Sequence, residues 1–176
     1  KDRLVPPESG SVVVMDIHSG EVISLVSAPM FDPNLFTGTL LTRDWRRLNS
    51  HPRTPLLNRA TSGQYAPGST FKMVVGLAAI EAGAISKDTQ FNCSGDMELG
   101  NATFHCWRKG GHGMMNIISA LEQSCDVFIY EVALKTGIRK IKDMAHRLGL
   151  GDVTGIGLPG EKQGIIPSHE WKMAVS

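Results

Sequence analysis

The sequence predicts an α+β fold in which an antiparallel β-hairpin precedes a series of helices. Three observations predict this fold. Two β-branched runs separated by a short turn open the chain, a mostly apolar run begins at Ser69, and helical patterns end at glycines between residues 116 and 149. A chain of 176 residues, 41% apolar and 20% charged, has the composition of a globular protein.

Charge and hydropathy exclude several classes of protein. The formal net charge is only +1, which gives no basic excess of the kind that nucleic-acid binding requires. The longest uninterrupted apolar stretch, Met73 to Ile80, is eight residues long. A membrane-spanning helix needs roughly 20, so we expect none here. We also expect no signal peptide, because the chain opens with charged residues and Pro6-Pro7.

The N-terminal part predicts a linker followed by the hairpin. Residues 1–10 carry two prolines and a Ser-Gly, and they are predicted to be a linker from a preceding region. The runs Ser11–Ile17 and Glu21–Ser27 are rich in β-branched residues and suit two strands. The three residues between them end in Gly20, which favours a tight hairpin turn.

Two segments are predicted to be irregular. Residues 29–68 hold five of the nine prolines and show one helical turn at most, over Thr42–Leu48. A loop of this length in a compact domain is usually functional or mobile. Residues 92–113 form a second predicted loop, which is rich in Gly, Cys and His.

Four helices are predicted in the remaining chain. The first begins at Ser69, is apolar on nearly all sides and should therefore lie in the interior. The last is amphipathic and ends at a glycine, as expected for a helix C-cap. Their predicted ranges are residues 69 to about 83, Asn116–Gln123, Asp126–Lys135 and Ile138–Leu148.

Ser69 and Lys72 carry the first catalytic signal. Pro67-Gly68 forms a turn that places Ser69 at a helix N-terminus, where unsatisfied N–H groups stabilise an oxyanion. Lys72 follows about one helical turn later on the same face. An apolar environment disfavours the ammonium form, which leaves neutral amine to accept the serine proton. The alternative is that Ser69 is an ordinary helix cap.

Ser124-Cys125-Asp126, between two predicted helices, is the second signal. Serine-lysine acyltransferases need another hydroxyl near the lysine to relay the leaving-group proton. They also need a short polar side chain that fixes the lysine and the substrate amide. Ser124 and Asp126 can supply these groups. The alternative is a helix N-cap followed by a first-turn acid, which is common and, for this segment taken alone, is the favoured interpretation.

Taken together, these residues resemble the transpeptidase domain of class B penicillin-binding proteins. The segment Tyr65–Lys72, Tyr-Ala-Pro-Gly-Ser-Thr-Phe-Lys, is similar to the acylation motif of that family. Asn58-Arg59-Ala60, the segment Ser27–Asn34 and the tail from Thr154 to Lys172 also match, so the resemblance covers nearly the whole chain. It implies the penicillin-binding/serine β-lactamase-like fold, an antiparallel sheet with helices packed on it.

A finer resemblance concerns the loop and the second motif. Ser-Cys-Asp at 124–126 and Gly-His-Gly at 111–113 resemble the penicillin-binding protein 2 subfamily, which serves cell elongation in Gram-negative bacteria. The resemblance implies partners in the elongation machinery, among them membrane proteins and a glycosyltransferase. It also implies the periplasmic face of the inner membrane, with an anchor outside this chain.

The resemblance implies a role for each of four residues. Ser69 would be the acylated nucleophile and Lys72 its base. Ser124 would shuttle the proton, and Asp126 would hold Lys72 and contact the substrate. The donor would be a peptidoglycan stem peptide ending in D-Ala-D-Ala, the acceptor an amine of a neighbouring strand, and β-lactams would acylate Ser69 as donor mimics.

The third family motif, Lys-(Ser/Thr)-Gly on a strand, is where the chain departs from the pattern. Lys135-Thr136-Gly137 has the right letters, but it lies at the end of a predicted helix, where lysine and glycine are helix-stop residues. We therefore expect the functional third motif beyond Ser176, and residues 11–176 to be the N-terminal part of a transpeptidase domain that is inactive on its own.

The three cysteines form the pattern Cys93-x12-Cys106-x5-His112-x12-Cys125. Three thiolates and one imidazole can make a closed tetrahedral zinc site. A Cys93–Cys106 disulfide, three unrelated thiols, and His105 as ligand in place of His112 are the alternatives. The resemblance favours a structural zinc held by Cys93, Cys106, His112 and Cys125, because subfamily members can carry one at these places.

The sequence leaves two other functions open. The first is a β-lactam sensor or β-lactamase of the same superfamily, against which the absence of an evident deacylating base argues. The second is a non-catalytic fragment that only binds partners.

Overall fold

A computed structural model describes residues 9–175 of the chain. Within that range it contains six short strands and six α-helices, which confirms the predicted α+β class. The strands pair into three separate two-stranded antiparallel sheets, and the described residues contain no larger sheet. None of the helices in this range has the length and apolar character needed to span a membrane.

The chain divides into two compact units. One contains the chain up to Tyr65 together with Gly155–Lys162, and the other contains Ala66–Thr154 together with the remainder. Every predicted catalytic and metal-binding residue lies in the second unit.

The predicted hairpin is present in the first unit. Strand β1 (Gly10–Met15) pairs antiparallel with β2 (Val22–Ala28). Asp16 organises the turn, because its carboxylate accepts hydrogen bonds from the backbone N–H groups of Ser19 and His18, and these bonds lower the pKa of Asp16. Of the predicted linker, residues 1–8 lie outside the described residues, and the strand begins within its end.

Apolar side chains of the hairpin are exposed on both of its faces. Val12 and Val13, which point to opposite faces of β1, are 60% and 43% exposed, and Ile23 of β2 is 68% exposed. An isolated two-stranded hairpin is only marginally stable in water. Apolar side chains on both faces are typical of strands that pack against other elements on both sides.

The irregular segment of the first unit is more ordered than its sequence predicts. It contains a 3₁₀ turn at Pro33–Phe36, and α1 (Thr42–Asn49) has two turns where one was expected. The loop that follows α1 is held together by the buried Arg59 guanidinium, which donates to the carbonyls of Arg53 at 2.6 Å and Thr54 at 3.2 Å. Hydrogen bonds of this kind leave no periodicity in the sequence.

Helices form the second unit, and their predicted positions are confirmed to within a few residues. Asn116 caps α3 through a capping box with Ser119, and Gly137 and Gly149, both with positive φ, end the next two helices. The central helix α2 packs against α4 and α5. These helices are α2 (Lys72–Glu81), α3 (Ile117–Glu122), α4 (Asp126–Thr136) and α5 (Ile138–Arg147).

The prediction that α2 lies in the interior is wrong, because one side of this helix is exposed in the part of the chain that the structure describes. The buried side of α2 includes Val75 and Ala79, but Met73, Leu77 and Ile80 are 57%, 49% and 47% exposed. Their spacing of four and three residues places these three on one stripe. An apolar composition shows that a helix can be buried, but not that a partner covers each face.

The prediction that residues 92–113 form only a loop is also wrong. Strand β3 (Phe91–Cys93) pairs with β6 (Gly113–Met115), and β4 (Asp96–Leu99) pairs with β5 (Ala102–His105). Strands of three or four residues are too short to show a period. The Gly100-Asn101 pair between β4 and β5 is a hairpin-turn signal that could have revealed these two strands.

A further short helix, α6 (His169–Val175), lies in the tail, for which no element was predicted from the sequence. Ser168 precedes it and accepts a hydrogen bond from the Trp171 amide at 3.1 Å, as an N-cap does.

Candidate active site

Ser69 and Lys72 are brought to one face by a tight turn. Gly68 has a φ of +57°, which glycine adopts without strain, and a 3₁₀ turn follows over Gly68–Phe71. In a 3₁₀ turn residues three apart lie above each other, and the Lys72 amide donates to the Ser69 carbonyl. The helix α2 therefore begins at Lys72 and not at Ser69 as predicted, while the shared face is retained.

Ser124 occupies an unusual backbone position between α3 and α4. Its φ is +52°, a left-handed conformation that costs a non-glycine residue about 1–2 kcal/mol. The Cys125 amide next to it donates to the Ala120 carbonyl at 2.8 Å and so closes the end of α3. This turn lets the chain reverse between the two helices, and Asp126 then begins the first turn of α4.

Lys72 connects the two motifs through three hydrogen bonds. Its Nζ donates to Asp126 Oδ1 at 2.6 Å, to the Ser124 carbonyl at 2.7 Å and to Ser124 Oγ at 2.9 Å. The Lys72 side chain is only 10% exposed, so this cation is compensated by the Asp126 carboxylate. Three acceptors match the three N–H donors of an ammonium group.

The two serine hydroxyls form the remaining link. Ser124 Oγ donates to Ser69 Oγ at 3.0 Å. A continuous chain of hydrogen bonds thus runs from Ser69 through Ser124 to Lys72 and on to Asp126. All four residues selected from the sequence lie together, with Ser124 between the predicted nucleophile and the predicted base.

The four residues of the predicted metal site also lie together. One potential ligand atom from each of Cys93, Cys106, His112 and Cys125 lies within 4.8 Å of the other three. All three cysteines are free thiols and not a disulfide pair. His105 is exposed on β5 and is not part of this cluster.

The donor set fits a zinc ion. His112 Nδ1 lies 3.6 Å from Cys93 Sγ and 3.5 Å from Cys106 Sγ. Tetrahedral zinc, with Zn–S of about 2.3 Å and Zn–N of about 2.1 Å, would place sulfur and nitrogen donors about 3.6 Å apart. His112 Nε2 is buried and has no hydrogen-bond partner among the described residues. Nδ1 is thus the ring nitrogen that faces the thiols.

Backbone N–H groups and burial shift the pKa values of two thiols in this cluster in opposite directions. Burial raises the pKa of Cys106, but hydrogen bonds from the N–H groups of Arg108, Asp126 and Val127 outweigh it and lower the pKa below its ordinary value. Burial raises the pKa of Cys125 to about 12 in the absence of metal. Thiolate is the form that binds a metal, and these hydrogen bonds favour the thiolate of Cys106.

Sequence reasoning missed Trp107, which contacts the second motif. Its amide donates to Asp126 Oδ2 at 3.1 Å, and its indole Nε1 donates to the Gln123 carbonyl at 3.1 Å. The only available signal was its position next to Cys106.

Comparison with known proteins shows which family the chain is similar to. Residues 10–176 match the family described as the penicillin binding protein transpeptidase domain. The peptidoglycan D,D-transpeptidase MrdA of Escherichia coli K12 is 39% identical over 97% of this chain. That alignment spans 27% of the relative, so the chain covers about a quarter of its length.

Solved structures give the same result. The Pseudomonas aeruginosa PBP2 in complex with WCK 5153 has a TM-score of 0.89 at 32% identity, covering 95% of this chain and 38% of that one. A complex between PBP2 and MreC from Helicobacter pylori has a TM-score of 0.89 at 35% identity, covering 94% of this chain and 31% of that one. The match of the family over nearly the whole described range, together with the Ser69–Lys72 turn, shows that the chain belongs to the penicillin-binding protein transpeptidase domain family.

Proposed function

We propose that this chain carries the acylation centre of a peptidoglycan D,D-transpeptidase. The observation that supports this most directly is the hydrogen-bonded chain from Ser69 through Ser124 to Lys72 and Asp126. Because the chain spans 27% of its relative MrdA, the proposal concerns the full-length protein that contains it. The donor substrate is a stem peptide ending in D-Ala-D-Ala, and the acceptor is an amine on a neighbouring strand.

Acylation begins at Ser69. Its Oγ attacks the carbonyl carbon of the penultimate D-Ala, and its proton passes through the Ser124 hydroxyl, which lies between the two groups, to Lys72 Nζ. Lys72 Nζ must be neutral to accept this proton. One route to neutral Nζ is transfer of a proton to Asp126 Oδ1, 2.6 Å away. The backbone N–H of Ser69, at the start of its 3₁₀ turn, contributes to stabilising the oxyanion.

Collapse of the tetrahedral intermediate breaks the peptide bond to the terminal D-Ala. Ser124 Oγ gives its proton to the departing amine and is reprotonated by Lys72, which lies 2.9 Å away. The acceptor amine then attacks the acyl-enzyme, loses a proton through the same groups, and the proton returns to Ser69 Oγ. The new amide bond is the cross-link.

We propose that the substrate carboxylate is bound by residues outside the described range. Lys135-Thr136-Gly137 lies at the C-terminal end of α4, as predicted, and Gly137 ends that helix. Lys135 Nζ lies 5.0 Å from the centroid of the Phe91 ring, and the Thr136 hydroxyl donates to the Val132 carbonyl at 2.7 Å. These side chains have structural contacts, so we expect the 176-residue chain alone to acylate slowly or not at all.

We propose further that Cys93, Cys106, His112 and Cys125 hold a structural zinc ion. The support is the convergence of three thiols and one imidazole at tetrahedral spacing. The ion would tie the β3–β6 and β4–β5 segments to Cys125, which lies between Ser124 and Asp126. Metal analysis together with thiol titration tests this. We expect one zinc per chain and thiols that react faster after chelation, whereas equal reactivity in both conditions excludes the site.

The proposed setting of the protein is the periplasmic face of a bacterial inner membrane, where its substrate is assembled. Among its relatives, the Helicobacter pylori PBP2 was solved in complex with MreC, and another belongs to a peptidoglycan synthase complex. We propose elongation-complex membrane proteins, including a glycosyltransferase, as partners of the full-length protein, and β-lactams as its inhibitors.

Fluorescent penicillin labelling of the full-length protein tests the catalytic proposal. We expect stable labelling that Ser69→Ala abolishes. Rapid turnover of the label would instead indicate a β-lactamase, and no labelling would indicate a non-catalytic binding module. Thr70→Ala, which alters the neighbouring hydroxyl, is the matched control and should retain labelling.

A further inference from the structure

Trp107 contacts the second motif at Asp126, the residue before that motif at Gln123, and the candidate metal ligand His112. Its backbone N–H donates to Asp126 Oδ2 at 3.1 Å, and its indole N–H donates to the Gln123 carbonyl at 3.1 Å. Its ring meets that of His112 edge to face, with centroids 5.3 Å apart. The side chain is nevertheless 64% exposed, so it is not held there by burial in the core.

The contact with Asp126 completes the hydrogen bonding of that carboxylate. Lys72 Nζ donates to Oδ1, and the Trp107 amide donates to Oδ2. Two donors on different oxygens fix the rotation of the carboxylate about its last bond. Only a carboxylate can accept through both atoms, because an asparagine would present an NH₂ group to one of the two donors.

The contact with Gln123 acts on the other side of the motif. Gln123 is the C-cap of α3, and carbonyls at a helix end lack an intrahelical partner. The indole N–H supplies one. Trp107 thus holds both ends of the segment Gln123–Asp126, within which Ser124 is kept in its left-handed conformation.

We propose that Trp107 is a positioning residue for acylation, which holds the Asp126 carboxylate and the Ser124 turn in line with Lys72 and Ser69. This inference rests on the proposed transpeptidase function. It assigns no contact between Trp107 and the substrate. Its effect reaches the reaction only through Asp126 and the turn.

Acylation kinetics of the full-length protein with fluorescent penicillin give the first test. Trp107→Phe keeps an aromatic ring and the backbone N–H but removes the indole donor. We expect an acylation rate constant about tenfold lower, the size of effect that loss of one hydrogen bond produces, with little change in the affinity of the non-covalent complex. Trp45→Phe, in the first unit, is the control and should have no effect.

A double-mutant cycle separates positioning from general support. In a Ser124→Ala background, Trp107→Phe should lower the rate less than twofold further, because the indole acts on the turn that positions the Ser124 hydroxyl and that hydroxyl is gone. Independent, additive losses would overturn the proposal. An unchanged rate for Trp107→Phe alone, in a protein that labels at Ser69, would overturn it as well, while leaving the transpeptidase proposal intact.

Amide hydrogen exchange of the 176-residue chain gives a test that does not depend on activity. The Trp107 N–H should be protected, and Asp126→Ala should accelerate its exchange at least about tenfold. The amide of Val132, in the middle of α4, reports whether the helix itself is disturbed. Equal exchange of the Trp107 amide with and without the Asp126 carboxylate would refute the positioning contact, whether or not the protein acylates.

Discussion

The Ser124 hydroxyl stands between Ser69 and Lys72, donating to Ser69 Oγ at 3.0 Å while accepting from Lys72 Nζ at 2.9 Å. The second motif therefore lies within the hydrogen-bonded chain that we propose as the proton path. The roles proposed for Ser69, Lys72, Ser124 and Asp126 lead to separate expectations for each element that supports this arrangement.

Removal of the Ser124 hydroxyl should slow acylation without unfolding the protein. Ser124→Ala is expected to lower the acylation rate of the full-length protein by about 10²- to 10⁴-fold, the usual contribution of a positioned proton donor. Ser124→Gly should be similarly slow but more stable to heat, because glycine accepts the positive φ of +52° without strain. A Ser124→Ala protein that labels at the normal rate would remove Ser124 from the mechanism.

Breaking the ion pair between Lys72 and Asp126 should affect both stability and rate. Asp126→Ala leaves the largely buried Lys72 ammonium without its counterion, a loss that costs about 3–5 kcal/mol for a fully buried pair and less here, since the Asp126 side chain is 23% exposed. Chemical denaturation measures the first effect and penicillin labelling the second. Loss of labelling with unchanged stability would mean that the pair has no structural role.

Gly110 and Gly111, which precede the proposed metal ligand His112, provide a matched pair of variants. A Cβ on Gly111 would lie 2.1 Å from the Cys93 carbonyl oxygen, and the φ of Gly111 is +73°, whereas a Cβ on Gly110 would meet nothing within 4 Å. Gly111→Ala should cost more than about 2 kcal/mol and weaken zinc binding, and Gly110→Ala should change neither. Thermal unfolding and metal analysis of both variants check this. Equal behaviour of the two would contradict the packing described here.

Removal of the proposed zinc ion should impair acylation by loosening the segments that it holds, and not by removing a catalytic group. Chelation, or His112→Ala, is expected to release Cys125 and lower the acylation rate of the full-length protein, with recovery when zinc is restored to the wild type. Intrinsic fluorescence should change in parallel, because Trp107 lies against the His112 ring. If acylation is insensitive to chelation while zinc is shown to leave, the ion does not support the second motif.

Lys135 offers a test of the third motif. Lys135→Ala should change the acylation rate less than about twofold, because its side chain lies over the Phe91 ring at the end of a helix. A loss of substrate binding in this variant would show that Lys135-Thr136-Gly137 does contact the substrate, and the missing motif would not need to be sought elsewhere.

The helices and the placement of Ser69 and Lys72 on one face were predictable because their signals are local. Gly137 and Gly149 mark helix ends by their chemistry, and the spacing of Ser69 and Lys72 places them on one face. The juxtaposition of the two motifs was supplied by family resemblance, since nothing in the letters around residue 124 indicates that Lys72 will contact Ser124.

The strands of residues 91–115 and the role of Trp107 were not predictable in the same way. The strands are three or four residues long, so hydrogen bonds to distant partners define them. One contact of Trp107 is made by its backbone N–H, a group that every residue but proline possesses, and the other joins its indole to the Gln123 carbonyl 16 residues away. Its importance lies in where the fold places it, which only the structure reveals.

The exposed hairpin has a practical consequence for anyone who handles this chain. Its outer strand edges are unpaired within residues 9–175, and apolar side chains such as those of Val12 and Ile23 are exposed to solvent. Such an edge is a template for another chain, and aggregation is expected to rise with concentration. Colloidal behaviour must therefore be measured before any failure to acylate is attributed to chemistry.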